Sequence, residues 1–410
     1  MSDLTDRTFW IANDREIKGG LTTDYYFLNV EKALRNEGRN PRVVMEVYTR
    51  HLPYQENWGV LGGTNEALKL LYGKPVDVWT MDEGEVFISS KNNLAYEPVM
   101  RIEGGYADFA RYETPILGFL CSLSGITTKA ARLRSLAGAN KRLLSFGTRR
   151  AHPALSAAIE RCAYIGGFDG FSNIIGSRLL HVEATGTIPH SFILLYDDPR
   201  DAWTAFDKCM PKGSPRTMLV DTYYDEKTES IMALDLLKSK LKAIRLDTPG
   251  SRRGDWRKII EEVRWELDIR GGTSVNILVS GGLDEEDILK LNDVVDGYGV
   301  GTAVSCAPPL DFNMKIVEVE NQKTGALVKR AKRGDISGRK AVYRNFKEYR
   351  DIIMLDKGKP PDGYEGLLKP RIKDGKQLGE VEPLEIIRER VASRIKWLKD
   401  HEVSVQLISA

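Results

Sequence analysis

The stretch SVNILVSGGLDEEDILKLNDVVDGYGVGTAV, running from Ser274 to Val304, decides the fold. SVNILVSGG is a strand that ends in a glycine turn, and LDEEDILKLNDVV is a helix. DGYGVGTAV is a second short strand with its own glycine turn. Strands alternating with helices at this spacing imply a parallel sheet. Toward the N-terminus the same rhythm repeats, with roughly seven such units between residues 140 and 305. The strand ends are Phe146 to Arg149, Asp169-Gly170, Thr187 to His190, Asp221-Thr222, Arg245 to Asp247, Ser280 to Gly282 and Gly299 to Thr302. Almost all of them carry polar, charged or glycine residues. An open doubly wound sheet binds at one switch point, whereas a barrel gathers nearly all of its loops on one face. The expected class is therefore α/β, an irregular (β/α) barrel with an α+β N-terminal domain and a small C-terminal domain. The expected boundaries are 1–115, 116–310 and 311–410, with C-terminal elements completing the first domain. In the last segment DFNMKIVEVE and GALVKRAK read as a hairpin, and EPLEIIRERVASRIKWLK as a helix. Residues 355–376, rich in Gly, Pro and Lys, read as loop, and EVSVQLI as a terminal strand.

Composition narrows the function. The 410 residues exceed what one core usually serves, and 42% hydrophobic with 29% charged residues describes a globular chain. Sixty basic and 58 acidic residues give a net charge of +2, without the basic excess of a nucleic-acid binder. The start MSDLTDRTFW has no secretory pattern, and no stretch reaches the roughly 18 apolar residues of a membrane helix. No nucleic acid and no membrane is expected as partner, and the expected location is cytoplasmic. Cys121, Cys162, Cys209 and Cys306 are scattered without a C-x-x-C pair, so neither a disulfide framework nor a cysteine zinc site is expected.

The strand ends carry the chemistry. Glycine turns at Ser280-Gly281-Gly282 and Gly301-Thr302 let backbone N–H groups approach a phosphate, where barrels often place one. Arg149 and Arg150 suit an anionic substrate through bidentate hydrogen bonds. Arg245 and Asp247, two apart on a strand, share one face. Asp169 and Asp221 add carboxylates. Together these suggest a site for a polyanionic sugar phosphate, with carboxylates to bind Mg²⁺ or to face developing positive charge. His190, beside the apolar FILLY, reads as a core imidazole in isolation and as a chemical group in this company.

SFGTRRAHP, AYIGGFDGFSN, GTIPHSF, LVDTYYD, IRLDTPG, VSGGLDEEDI and YGVGT stand in the order found in nicotinate phosphoribosyltransferases. TTDYY and RIEGGYADFARYETPILG resemble that family's N-terminal region, and LDTPGSRRGD resembles its archaeal branch. The resemblance implies attack of nicotinate on 5-phosphoribosyl-1-pyrophosphate, giving nicotinate mononucleotide and pyrophosphate. It implies that Phe146 stacks on the pyridine ring, with Tyr26 from a second subunit of a homodimer over the other face. Arg149 binds near the nicotinate carboxylate or phosphate, Asp169 orients the ring, and Arg150 and His152 stand behind them. Arg245 and Asp247 contact the ribosyl and pyrophosphate parts beside Thr187. Ser280, Gly281, Gly282, Gly301 and Thr302 cradle the 5-phosphate. Mg²⁺ enters with the substrate, with Asp247 or Asp221 as its protein ligand, and ATP is a co-substrate that phosphorylates His190. Archaeal relatives often carry a four-cysteine zinc knuckle, but the matching segment here has no cysteine. No zinc is expected, with Tyr343, Phe346, Tyr349 and Tyr364 packing in its place. Quinolinate or nicotinamide as substrate, or a non-catalytic nucleotide-binding barrel, are the alternatives.

Overall fold

The computed structural model describes residues 7–53, 57–89, 96–355, 358–398 and 404–408. The chain divides into two compact units, one formed by 129–307 and the other by 1–128 with 308–410. The units divide at 128/129 and 307/308, where 115/116 and 310/311 were expected, and the helix Glu113–Ala137 runs unbroken across both N-terminal positions.

In the unit 129–307 six strands form one sheet: β1 (Arg142–Ser145), β2 (Gly170–Phe171), β3 (Arg216–Leu219), β4 (Leu241–Leu246), β5 (Asn276–Ser280) and β6 (Gly297–Val300). Their order is β2-β1-β6-β5-β4-β3, every pair parallel, so all six C-terminal ends emerge along one edge. A sheet covered by helices on its faces needs near-continuous apolar strands. Leu143, Leu144, Ile244, Ile277, Val279, Tyr298 and Val300 supply them, all buried. The helices between strands start on side-chain caps. Asp225 accepts from the Thr228 N–H, Asp255 from Lys258, and Asp284 forms a capping box with Asp287.

The sheet is a curled half-barrel rather than a closed ring. Six strands stand where seven units were expected, because residues 182–189 form no strand. One bond, from the Thr185 N–H to the Phe171 carbonyl (2.8 Å), ties this segment to β2. EATGTIP lacks the apolar run of a doubly covered strand, and Ile188 is its one fully buried side chain.

In the unit of 1–128 and 308–410, a seven-stranded sheet runs in the order Leu327–Lys329, Phe312–Glu320, Arg42–Thr49, Met100–Gly105, Val76–Thr80, Lys369–Lys373, Lys376–Gln377. The DFNMKIVEVE hairpin is there, pairing Glu318 with Lys329. The expected loop at 355–376 is not wholly loop. Lys369–Lys373 pairs with Val76–Thr80, and Ile372 drops into the core. Its Lys, Pro and Arg residues point mostly outward, which is why its composition reads as loop. The helix Leu384–Leu398 and the strand Ser404–Ile408 follow, although residues 399, 402 and 403 of the expected elements lie outside the described residues.

A buried charge cluster occupies the cysteine-free segment. Arg344, fully buried, donates to Asp351 at 2.7 and 2.6 Å and to Glu85 at 2.7 Å. Phe346 and Tyr349 lie 5.8 and 5.6 Å from its guanidinium, and Tyr349 stacks on Trp397. Among the described residues no group of three His, Cys, Asp or Glu could hold a metal ion, and no helix is long and apolar enough to cross a membrane.

Candidate active site

The strand ends of the half-barrel enclose a cavity of about 380 Å³. From the end of β1 come Phe146 and, after a tight turn, the exposed Arg149 and Arg150. The Phe146 N–H bonds to the Val300 carbonyl (2.8 Å), which fixes the ring against β6. Glycine is required opposite it, because a Cβ on Gly299 would sit 2.4 Å from the ring. Arg245 and Asp247 come from the end of β4. The Arg245 guanidinium lies 5.8 Å from the Phe146 ring centre and donates to Thr187 Oγ1 at 2.6 Å. Ser280, ending β5, donates its hydroxyl to Asp247 Oδ1 at 2.6 Å. Gly281 and Gly282 follow with φ of +95° and +71°, left-handed backbone that favours glycine. Gly301 and Thr302 complete the wall.

Behind Asp247 stands His190, the first residue of a short helix. Its Nδ1 is 3.0 Å from Thr222 Oγ1, and its Nε2 faces Asp247 Oδ2 at 3.6 Å and Asp221 Oδ1 at 3.8 Å. Thr222 is itself held, since Glu229 accepts the N–H groups of Thr222, Tyr223 and Tyr224. The Asp247 carboxylate, then Asp221, hold the His190 ring above the usual imidazole range against the opposing effect of burial and Arg245. Burial pushes Asp221 up to about 6, with Asp247 adding to the rise and His190 opposing it. Burial also acts on Asp247, but hydrogen bonds from His190 and Ser280 and the charge of Arg245 outweigh it and hold this carboxyl low. Burial lowers Arg245, and Asp247 and Asp221 oppose the fall without cancelling it. The cavity wall thus holds an acid kept low beside a cation, with a second acid pushed up to about 6 behind them.

Eleven residues singled out from sequence line this one cavity: Phe146, Arg149, Arg150, Thr187, Arg245, Asp247, Ser280, Gly281, Gly282, Gly301 and Thr302. His190 joins it through Asp247. Asp169 does not. It precedes β2, at the strand's N-terminal end, where it pairs with Arg134 (2.5 Å) and accepts the Leu143 N–H (2.9 Å). In FDGFSN the two-residue strand follows Asp169 and delivers Ser172, which lines the cavity, at its other end. His152 caps a turn by accepting the Ala154 N–H, and Tyr26, in the other unit, is exposed and 3.3 Å from Asp24. Thr222 and Gly299 stand at the expected strand ends without an assigned role, and Arg253 carries no strand-end signal.

Residues 126–315 match the family model described as Quinolinate phosphoribosyl transferase, C-terminal domain, and residues 24–124 match the N-terminal domain of the same name. The chain is 30% identical to "Nicotinate phosphoribosyltransferase pncB1" of Mycobacterium tuberculosis, over 94% of this chain and 92% of the relative. It is 28% identical to "Nicotinate phosphoribosyltransferase" of Bacillus subtilis, over 89% and 79%. Among solved structures, that of the nicotinate-nucleotide pyrophosphorylase from Pyrococcus furiosus superposes with a TM-score of 0.90 at 46% identity, covering 97% of this chain and all of the other. The human nicotinic acid phosphoribosyltransferase structure shares the fold at a TM-score of 0.75 and 19% identity, over 95% and 97%.

Proposed function

The chain belongs to the nicotinate phosphoribosyltransferase family, and from that premise we propose that it forms nicotinate mononucleotide and pyrophosphate from nicotinate and 5-phosphoribosyl-1-pyrophosphate in NAD biosynthesis. The observation that carries the reading is one cavity holding an aromatic ring, three arginines and two glycine turns. The nicotinate ring nitrogen gives its lone pair to C1 of the ribose while the C1–O bond breaks and its electrons leave with pyrophosphate. Positive charge develops on the ribosyl group, and Asp247 would stabilise it, a reading supported by the low carboxyl pKa of this cavity-lining residue. Phe146 stacks on the pyridine, Arg149 or Arg150 pairs with its carboxylate, and the N–H groups at 281–282 and 301–302 hold the 5-phosphate. Arg245 meets the pyrophosphate.

Mg²⁺ suits the carboxylate pair. Asp221 Oδ1 is buried without a hydrogen-bond partner, and Mg²⁺ takes one or two carboxylates together with phosphate oxygens. Asp221 and Asp247 would hold it, and it would neutralise the leaving pyrophosphate. His190 is the acceptor for ATP in this reading. A ring nitrogen attacks the γ-phosphorus, the bond to the ADP oxygen breaks, and the phosphoimidazole is later hydrolysed to inorganic phosphate. The working form is a cytoplasmic homodimer, with Tyr26 of the partner subunit closing over the base.

The test incubates the protein with phosphoribosyl pyrophosphate, Mg²⁺ and nicotinate, nicotinamide or quinolinate, with and without ATP. Mononucleotide from nicotinate, faster with ATP, is expected. His190→Asn keeps the slow ATP-independent synthesis and loses the stimulation. No product from nicotinate overturns the proposal. The family model's name favours quinolinate as the second reading. Product from quinolinate with release of CO₂, and none from nicotinate, would establish it.

A further inference from the structure

The loop Thr248–Asp255 between β4 and the helix Trp256–Ile269 carries two adjacent arginines that the cavity lining does not include. Arg252 is exposed. Arg253 turns inward and makes a bridge. Its Nε donates to the Thr248 carbonyl at 2.7 Å, and its Nη2 donates to the carbonyls of Gly281 and, at 3.4 Å, Ser280. The guanidinium carbon lies over Trp256, 3.8 Å from the ring centre, and Trp256 is buried. Its position is thus supported by packing from below, while its donors clamp the end of β5 to the segment that follows β4.

The clamp bears on the direction of the glycine N–H groups. The chain has no cis peptide bonds among the described residues, and in a trans peptide the C=O and N–H point opposite ways. When the Ser280 and Gly281 carbonyls turn toward Arg253, the N–H groups of Gly281 and Gly282 turn away from it. Among the described residues neither N–H donates to a protein acceptor, although both glycines line the cavity. Left-handed φ at two consecutive residues makes this turn adaptable, so something outside it must hold one orientation. Gly281 lies between the clamp and the acid, since a Cβ there would stand 3.1 Å from both Arg253 Nη2 and Asp247 Oδ1.

We infer that Arg253 is a positioning residue for the phosphate-binding turn, aiming the Gly281 and Gly282 N–H groups into the cavity without touching substrate. The inference rests on the phosphoribosyl reading of the cavity. It assigns a purpose to the long LDTPGSRRGD loop, which delivers a guanidinium to the back of the turn. Hydrogen bonds made by a charged donor carry enough energy that their loss weakens a bound anion about 10- to 100-fold.

The experiment measures the Kd of phosphoribosyl pyrophosphate with Mg²⁺ by calorimetry, and steady-state KM and kcat with nicotinate, in the wild type, Arg253→Ala, Arg253→Lys and Arg252→Ala. Expected is an approximately 10- to 100-fold rise in Kd and KM for phosphoribosyl pyrophosphate in Arg253→Ala, with the nicotinate KM and the melting temperature nearly unchanged. Arg253→Lys falls between, because an ammonium lacks the fork that spans Thr248 and Gly281. Arg252→Ala matches the wild type. A Kd for Arg253→Ala within about threefold of the wild type overturns the inference. So does a parallel loss of kcat and of both substrates' KM with a lowered melting temperature, which marks a merely structural role. A wild type that binds phosphoribosyl pyrophosphate yet makes no mononucleotide fails the functional proposal alone, and the calorimetric comparison still decides the role of Arg253.

Discussion

Replacing Asp221 by asparagine removes one of the two carboxylates facing His190 and keeps an oxygen to accept the Asp247 N–H. A carboxylate favours the charged imidazole, so its loss must lower the His190 pKa. At 3.8 Å two unit charges interact by about 1 kcal/mol at the dielectric of water and about 4 kcal/mol at an effective value of 20. The His190 side chain is 35% exposed, which places the effect toward the lower figure, about 1 pH unit. Burial pushes Asp221 up to about 6 while the two carboxylates hold His190 above its ordinary value, so the acid loses its proton before the ring does. Phosphoryl transfer to the ring needs its neutral form, so ATP-stimulated synthesis should rise with pH through the His190 pKa. In Asp221→Asn that rise should move about 1 pH unit toward acid. Two measurements check it: a ¹³C-histidine NMR titration, assigned with His190→Asn, and the ATP-stimulated rate from about pH 5 to 9. A His190 midpoint that stays in place or moves upward would refute the reasoning, whatever the rate does.

Gly299→Ala places a methyl group where 2.4 Å separates it from the Phe146 ring, so the ring must shift. The KM for nicotinate should rise about 5- to 100-fold, the range of one lost aromatic stacking contact, with a smaller change for phosphoribosyl pyrophosphate in steady-state kinetics. Asp169→Asn should leave kcat/KM within about twofold and cost about 1–2 kcal/mol of stability in denaturant unfolding, because its partners are Arg134 and the Leu143 N–H at the far end of the sheet. Arg344→Met strands the buried Asp351, leaves the buried Glu85 to Arg394, and should cost about 3–5 kcal/mol by the same measurement.

The alternation of strands and helices was legible because parallel strands covered on both faces must be short apolar runs, as ILV and RLL are, and the helices between them begin on capping acids. The site was legible for a related reason. Every parallel strand presents its C-terminal residues on one edge, so Phe146, Arg245, Asp247 and Ser280 could be grouped once their strands were found. Two kinds of residue escaped. Asp169 misled because a strand of only Gly170–Phe171 gives no pattern from which to tell its start from its end, and a shift of three residues exchanges a structural ion pair for the cavity-lining Ser172. The missing seventh strand is the same ambiguity in reverse, since a polar segment placed between βα units takes on their rhythm without their hydrophobicity. Arg253 and Glu229 escaped because they act at one remove, holding backbone that shapes the site. No local pattern separates such a residue from a solvated one. Arg252 and Arg253 are identical neighbours in the sequence, and only the hydrogen bonds of one of them to Thr248 and Gly281 and its contact with Trp256 show which is built in behind the turn. Groups that touch substrate must therefore be sought at strand ends, whereas those that aim them are found by asking where each buried donor goes.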